Sequence, residues 1–387
     1  MPSLAAHIPS VPPSGIRRVF ELALELDAAR TAGDEKVVML ALGEPDVPLA
    51  PHIAAAAIAA WERDDTAYTP NAGIPALRRA IVAKLARDNG IEVDVEQVFV
   101  TIGGTQGLHL AMQLTLAAGD EVLVPDPGYT TFTMNARMLE AVPVPYSLTP
   151  DRGFLPSIDE LETLVTDKTR LLIVNSPSNP LGAVFERKTL EALLAVAERH
   201  DLWVLSDEVY EHFVWNTPHV SIASLDSGNR VMTAFSLSKS YSMTGVRVGY
   251  LAVPPGLTAI MRTMQEASVG CVAGPDQYAA LAALEGDQTH VDAAREHYRG
   301  NLTAATALLD SRGFNYLAPN GAFYLWIDMR HVADGDVTAW VEGFLLRERV
   351  AVAPGSAFGR SGEGWIRICL AATERDVLTG IGRLPAP

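Results

Sequence analysis

Seven short apolar runs rich in β-branched residues, most of them followed by a segment of helical periodicity, constrain this chain more than any other feature. They are "QVFVTI" (97–102), "EVLVP" (121–125), "AVPVPY" (141–146), "RLLIVN" (170–175), "LWVLSD" (202–207), "RVMTAF" (230–235) and "RVGYLAVP" (247–254). Each has the length of a strand and an apolar content suited to burial on both faces. Intervening segments such as "TLEALLAVAERH" (189–200) repeat leucine at helical spacing. Strand–helix alternation of this kind predicts an α/β doubly wound sheet, largely parallel, with helices on its faces. Helical patterns continue across 256–311. After Gly313 the texture changes to mixed strand and helix in "GAFYLWIDM", "VTAWVEGFLLRE", "VAVAPG" and "WIRICLA". This reads as a smaller α+β domain joined by the N-terminal segment, which divides the chain into 1–45, 46–290 and 291–387.

Composition narrows the partners. A length of 387 residues with 48% hydrophobic and 20% charged residues suits a folded chain with a sizeable core. A net charge of −16 repels a phosphate backbone or an anionic membrane at long range, so neither nucleic acid nor membrane is an expected partner. The two cysteines, Cys271 and Cys369, lie far apart and form no metal-ligand spacing, so no metal site is expected; they read as reduced thiols of a cytoplasmic protein. The proline-rich start lacks the charged and apolar regions of a secretory signal, and no apolar run reaches the length of a membrane span. That start reads either as an arm ordered against another subunit or as a frayed terminus.

Open parallel sheets bind ligands in the crevice beyond the carboxyl ends of their strands, so residues just after each strand matter most. Five strand ends carry glycine or polar groups: Gly103-Gly104-Thr105, Asp126-Pro127-Gly128-Tyr129, "SPSNPLG" with Asn179, Asp207 with Tyr210, and Ser236-Leu237-Ser238-Lys239. A glycine pair opening a helix is either a tight turn or an anion cup at the positive end of the helix dipole. Arg247 reads as a strand-edge arginine or as a guanidinium clamp beside that cup. Asp207 is a helix N-cap or the partner of a buried cation, with Tyr210 sharing its face on a first helical turn. Asn179 is a turn residue or an amide aimed into the crevice, and Tyr129 a core aromatic or a surface for ring stacking.

Lys239 is the sharpest feature. It follows an apolar strand, sits among serines, and has no acidic residue anywhere in "VMTAFSLSKSYSMTGVRVGY" (231–250). A desolvated amine near Arg247 has a lowered pKa and serves as a nucleophile towards a carbonyl or as a proton shuttle. A phosphate cup, an aspartate, a stacking aromatic and such a lysine together describe a pyridoxal phosphate site.

The ordered motifs "LGEPDV", "AYTPNAGIPALR", "TIGGTQGL", "DPGY", "NSPSNPLG", "SDEVY", "SLSKSYSMTGVRVGY", "GAFYLW" and "WIRICLA" span nearly the whole chain. In them the sequence resembles the class I/II aminotransferases of fold type I, the aspartate aminotransferase superfamily. That resemblance implies a seven-stranded, mostly parallel sheet sandwiched by helices beside a smaller α+β domain. It implies Lys239 as the Schiff-base lysine, Asp207 on the pyridine nitrogen, Tyr210 and Asn179 on the phenolic oxygen, and Tyr129 stacked on the ring. Gly104, Thr105, Ser236, Ser238 and Arg247 would hold the phosphate. Arg367 would clamp the substrate α-carboxylate with help from the Gly43 backbone. Tyr68 would reach the neighbouring subunit's cofactor, which implies a homodimer with shared active sites.

Departures from the family pattern are Leu181 in "NPLG" and Val246 before the clamp arginine. In addition, "QEASVGCVAGP" holds no arginine of the kind that marks dicarboxylate-specific members. The implied activity is ping-pong transfer of an amino group between an L-amino acid and a 2-oxo acid. A lyase or decarboxylase on the same site is the alternative, since the cofactor stabilises the carbanion whichever bond breaks. A non-catalytic sensor of this fold would need a DNA-binding domain and a basic patch, and neither is present in the sequence.

Overall fold

A computed structural model describes residues 2–333 and 335–387. The strands are β1 (Val38–Met39), β2 (Val98–Ile102), β3 (Glu121–Asp126), β4 (Val142–Ser147), β5 (Thr169–Asn175), β6 (Trp203–Asp207), β7 (Val231–Ser236), β8 (Val248–Ala252), β9 (Tyr316–Leu317), β10 (Tyr324–Asp328), β11 (Val350–Ala351), β12 (Ala353–Pro354) and β13 (Trp365–Cys369). All seven apolar runs enter one sheet of order β2-β8-β7-β6-β5-β3-β4. Pairing is parallel from β7 through β6, β5 and β3 to β4, whereas β8 is antiparallel to both β2 and β7. The central strands are apolar on both faces because helices cover both. Leu171, Leu172, Ile173, Val204 and Leu205 are each fully buried, and side chains of this size contribute roughly 1.5–3 kcal/mol apiece when removed from water.

The run 141–146 departs from a buried strand. β4 lies at the sheet edge with Val142 exposed, and its two prolines sit where a missing N–H costs no ladder bond.

The second sheet, of order β12-β13-β10-β9, is antiparallel, and a separate parallel pair joins β1 to β11. The N-terminal segment is thus built into the C-terminal part of the chain. Its helix Gly15–Ala28 buries Val19 and Ala23 in the same apolar cluster as Ile327, Phe344 and Ile368. The helix Thr289–Ser311 runs through the boundary expected near residue 290 and buries Tyr298 and Leu309 in that cluster. Among the described residues no helix is long and apolar enough to cross a membrane.

Candidate active site

One cavity of about 520 Å³ opens at the carboxyl ends of the parallel strands. It is lined by Gly104, Thr105, Tyr129, Asn179, Asp207, Tyr210, Ser236, Ser238, Lys239, Arg247 and Arg367, together with Gly43 from the N-terminal segment. Nearly every residue singled out from the sequence therefore meets at one place. Of the residues given a cofactor or substrate role by the family resemblance, Tyr68 alone falls outside: it is 94% exposed and does not line this cavity.

The glycine pair opens the helix Gly103–Thr115 directly from the end of β2. Gly103 has φ +66°, and a Cβ there would stand against the Arg247 guanidinium. A Cβ on Gly104 would lie 3.2 Å from Val209 and 3.4 Å from the Ser236 Cβ, filling the floor of the cup. Arg247 itself holds φ +63°, a conformation non-glycine residues rarely adopt. Its Nη1 donates to the Thr244 carbonyl at 2.7 Å and reaches the Ser238 hydroxyl at 3.5 Å. The helix N-terminus, two serines and a guanidinium thus surround one small volume with donors, which suits a phosphate.

Lys239 lies on a single turn of helix after β7, and its Nζ donates to the Gly43 carbonyl at 2.6 Å. Burial, with the charges of Arg367 and Arg247 adding to it, pulls the amine down to about 8, so about a tenth of it is uncharged at pH 7. Asp207, at the end of β6, is buried. Burial pushes its carboxyl up to about 7, and the neighbouring Glu208 charge works in the same direction, against the Val209 N–H and Lys239. No helix follows β6, so neither the N-cap reading nor the shared helical face survives. Residues 208–212 form turns, and Asp207 Oδ1 accepts from the Val209 N–H at 3.3 Å. Tyr210 is carried into the cavity by that turn.

Arg367, on β13, is buried with no acidic partner among the described residues. Its Nη1 donates to Asn179 Oδ1 at 2.7 Å and its Nη2 to the Ala41 carbonyl at 2.5 Å, while Nε has no partner. Its guanidinium lies 4.2 Å from the Tyr324 ring centroid and 4.9 Å from that of Phe358. A cation desolvated this far is costly unless an anion joins it, and a carboxylate suits the planar fork. With its oxygen committed to Arg367, the Asn179 amide keeps its N–H groups for an acceptor in the cavity.

Sequence reasoning missed several residues. Tyr324 lines the cavity, and its hydroxyl pairs with that of Tyr210 at 2.7 Å. The motif "GAFYLW" contains it, but nothing in the motif alone separates a site tyrosine from a core one. Ser14, Ile16 and Arg17, at the start of the helix Gly15–Ala28, also reach the cavity wall. Leu181 is fully buried and Val246 packs on the core, so both departures from the family pattern are changes in packing. Asp126 does not join the site. It turns away to accept from the Ser361 N–H at 3.1 Å and anchors the loop that follows β12.

The family described as aminotransferase class I and II matches residues 35–384. The chain is 35% identical to an aspartate aminotransferase of Pyrococcus abyssi, covering 99% of this chain and 97% of that one. It is equally identical, with the same coverage, to aromatic-amino-acid aminotransferase 2 of Thermococcus litoralis. An aspartate aminotransferase of Thermus thermophilus solved with maleate superposes with a TM-score of 0.93 at 34% identity over 99% of both chains.

Proposed function

Since the chain belongs to the class I and II aminotransferases, a pyridoxal phosphate-dependent family of transaminases, we propose a role in that chemistry for each residue of the cavity. The residues present fit the cofactor: a donor-lined cup in which a Cβ at 104 would press on Val209 and Ser236, an amine of lowered pKa, and a buried carboxylate without a counter-ion. Pyridoxal phosphate, when bound, supplies an electron-withdrawing ring that spreads the charge left when a proton leaves the substrate Cα.

In this reading the Gly104 N–H, Thr105, Ser236, Ser238 and Arg247 hold the phosphate. Lys239 supplies the amine that attaches the cofactor and acts as the acid–base group at the substrate Cα. Asp207 holds a proton on the ring nitrogen, Tyr210 and Asn179 donate to the phenolic oxygen, and Tyr129 stacks on the ring. Arg367 takes the substrate α-carboxylate, with the Gly43 backbone beside it. That places one end of the substrate and leaves the side chain facing Ser14, Ile16 and Arg17. The same reading makes the protein a cytoplasmic homodimer divided into 1–45, 46–290 and 291–387, with the smaller domain formed by both ends of the chain. The exposed apolar residues Ile58, Trp61 and Tyr68 would then lie at the subunit interface, with Tyr68 reaching across it.

The observation that carries this reading is the convergence of an amine of lowered pKa and a buried, anion-free guanidinium on one cavity. Its test is a panel of acidic, aromatic and aliphatic amino acids added singly to the holoenzyme without any 2-oxo acid. A transaminase loses the visible absorbance of its bound cofactor stoichiometrically, regains it on addition of a 2-oxo acid, and releases neither carbon dioxide nor ammonia. Release of either gas-forming product with the absorbance unchanged would replace this reading with a lyase.

A further inference from the structure

Immediately behind Asp207 lies a second buried carboxylate that the proposed chemistry does not use. Glu208 is 1% exposed, and each of its oxygens is occupied. Its Oε1 accepts from the Ser206 hydroxyl at 2.8 Å and the Ser221 hydroxyl at 2.7 Å, and its Oε2 meets His219 Nε2 at 2.9 Å. Ser206 and Ser221 are buried, and the His219 side chain is nearly so. Glu208 thus receives two hydroxyl donors and faces a ring nitrogen that donates when it carries a proton. The other ring nitrogen of His219, Nδ1, has no partner, so Glu208 alone fixes where the imidazole carries its proton.

Two adjacent buried carboxylates repel, and the repulsion falls on whichever has fewer compensating contacts. Asp207 has the Val209 N–H; Glu208 has two hydroxyls and an imidazole. We propose that His219 and Glu208 form a charge-compensating pair that limits how much of the Glu208 charge reaches Asp207 and so keeps that carboxyl available to the cofactor's ring nitrogen. The proposal rests on the role given to Asp207 above. His219 and Glu208 are positioning residues, since neither lines the cavity.

The surrounding charges are consistent with it. On the turn after β6, Glu211 is ion-paired with Lys84, which arrives from the helix Pro75–Lys84, and His212 stands beside Glu211. Burial opposes a proton on His219, but the hydrogen bond to Glu208 and the charges of Glu208 and Glu211 outweigh it, with Lys84 detracting, so the ring's pKa is raised above the ordinary histidine value. On the cavity side, Lys239 is the cation nearest in effect to Asp207. Remove the imidazolium, and the uncompensated Glu208 charge acts on Asp207.

The test titrates apoenzyme with pyridoxal phosphate across the neutral pH range and reads the cofactor Kd. His219→Gln keeps a hydrogen-bond donor but no charge. It should weaken cofactor binding about tenfold at neutral pH and move the acid limb of the binding profile up by about one unit, since one pKa unit is a factor of ten. Glu208→Gln should bind the cofactor at least as tightly as the wild type. The double variant His219→Gln/Glu208→Gln should recover wild-type affinity to within about twofold, because compensation is between the two charges and not with the fold.

Asp207→Asn separates the layers. If it loosens the cofactor while His219→Gln does not, the pair has no such role. If Asp207→Asn itself changes neither affinity nor pH profile, the assignment of Asp207 fails and the pair loses its purpose. A double variant as weak as His219→Gln would mean that the network is only structural. Should His219→Gln not fold, nitrogen NMR of histidine-labelled wild-type holoenzyme decides instead: a neutral His219 ring at neutral pH overturns the proposal.

Discussion

Replacing Arg367 by lysine tests the least replaceable contact in the cavity. The guanidinium spends one arm on Asn179 Oδ1 at 2.7 Å and another on the Ala41 carbonyl at 2.5 Å, lies against the Tyr324 and Phe358 rings, and leaves Nε unpaired. A carboxylate arriving there meets a planar donor set already held in place. Lysine keeps the charge but has one compact ammonium in place of the fork, and cannot serve both internal acceptors and a bidentate anion. One charged hydrogen bond, worth about 1.5–3 kcal/mol, is therefore lost from the substrate. At about 2 kcal/mol this is roughly a 30-fold weakening. It should appear as a raised Kd for both amino acid and 2-oxo acid in single half-reactions followed by cofactor absorbance. The affinity of apoenzyme for pyridoxal phosphate should stay within about threefold of wild type, because Arg367 itself takes none of the phosphate or ring contacts and acts on the ring only through Asn179. Unchanged substrate affinity, or a loss confined to the cofactor, would refute the assignment of Arg367 to the substrate carboxylate.

Lys239 should capture pyridoxal phosphate at a rate that rises with pH through about 8, two units or more below an ordinary lysine, because only the free amine attacks a carbonyl; stopped-flow absorbance on apoenzyme checks this, and a midpoint near that of free lysine would deny the desolvation argument. Lys84→Met leaves Glu211 buried with the Asn89 amide and His212 beside it but without its lysine, so chemical denaturation should show about 3 kcal/mol less stability, with recovery on adding Glu211→Gln. Burial works to raise Glu211, but Lys84 and the nearby histidines hold it down at about 2. A depressed carboxylate contributes stability above its ordinary pKa and loses it as pH falls towards the folded value, so the deficit of Lys84→Met should shrink in acid. Tyr68→Phe should loosen the cofactor, and mixing it with Lys239→Ala chains should give hybrid dimers with one intact site; hybrids formed without activity would exclude Tyr68 from a partner's site.

The sheet and the place of the crevice are legible in the sequence, as are the residue types gathered there. Burial on both faces demands continuous apolar runs, and a polar kit at five strand ends is legible because strand ends are where a doubly wound sheet opens. Lys239 stood out because an amine after an apolar strand, with no acid nearby in sequence, has no ordinary surface explanation. Local pattern also had limits within this part: it cast 141–146 as a buried strand, although two prolines make it an edge, and it put a helix after Asp207 where the chain turns.

Which residues share a site across long separations follows from the folded chain alone. Arg367 meets Asn179 and Ala41 through the pairing of β13 with β10 and β12. Tyr324 meets Tyr210 across 114 positions, Lys239 meets the Gly43 carbonyl across 196, and Glu208 takes its histidine from a loop with no motif of its own. The physical reason is that such contacts are set by sheet register and by which polar groups are left to satisfy one another once apolar faces have packed. Burial then fixes the ionisation of Lys239 and Asp207, and burial is a property of the whole fold that no local stretch of sequence carries.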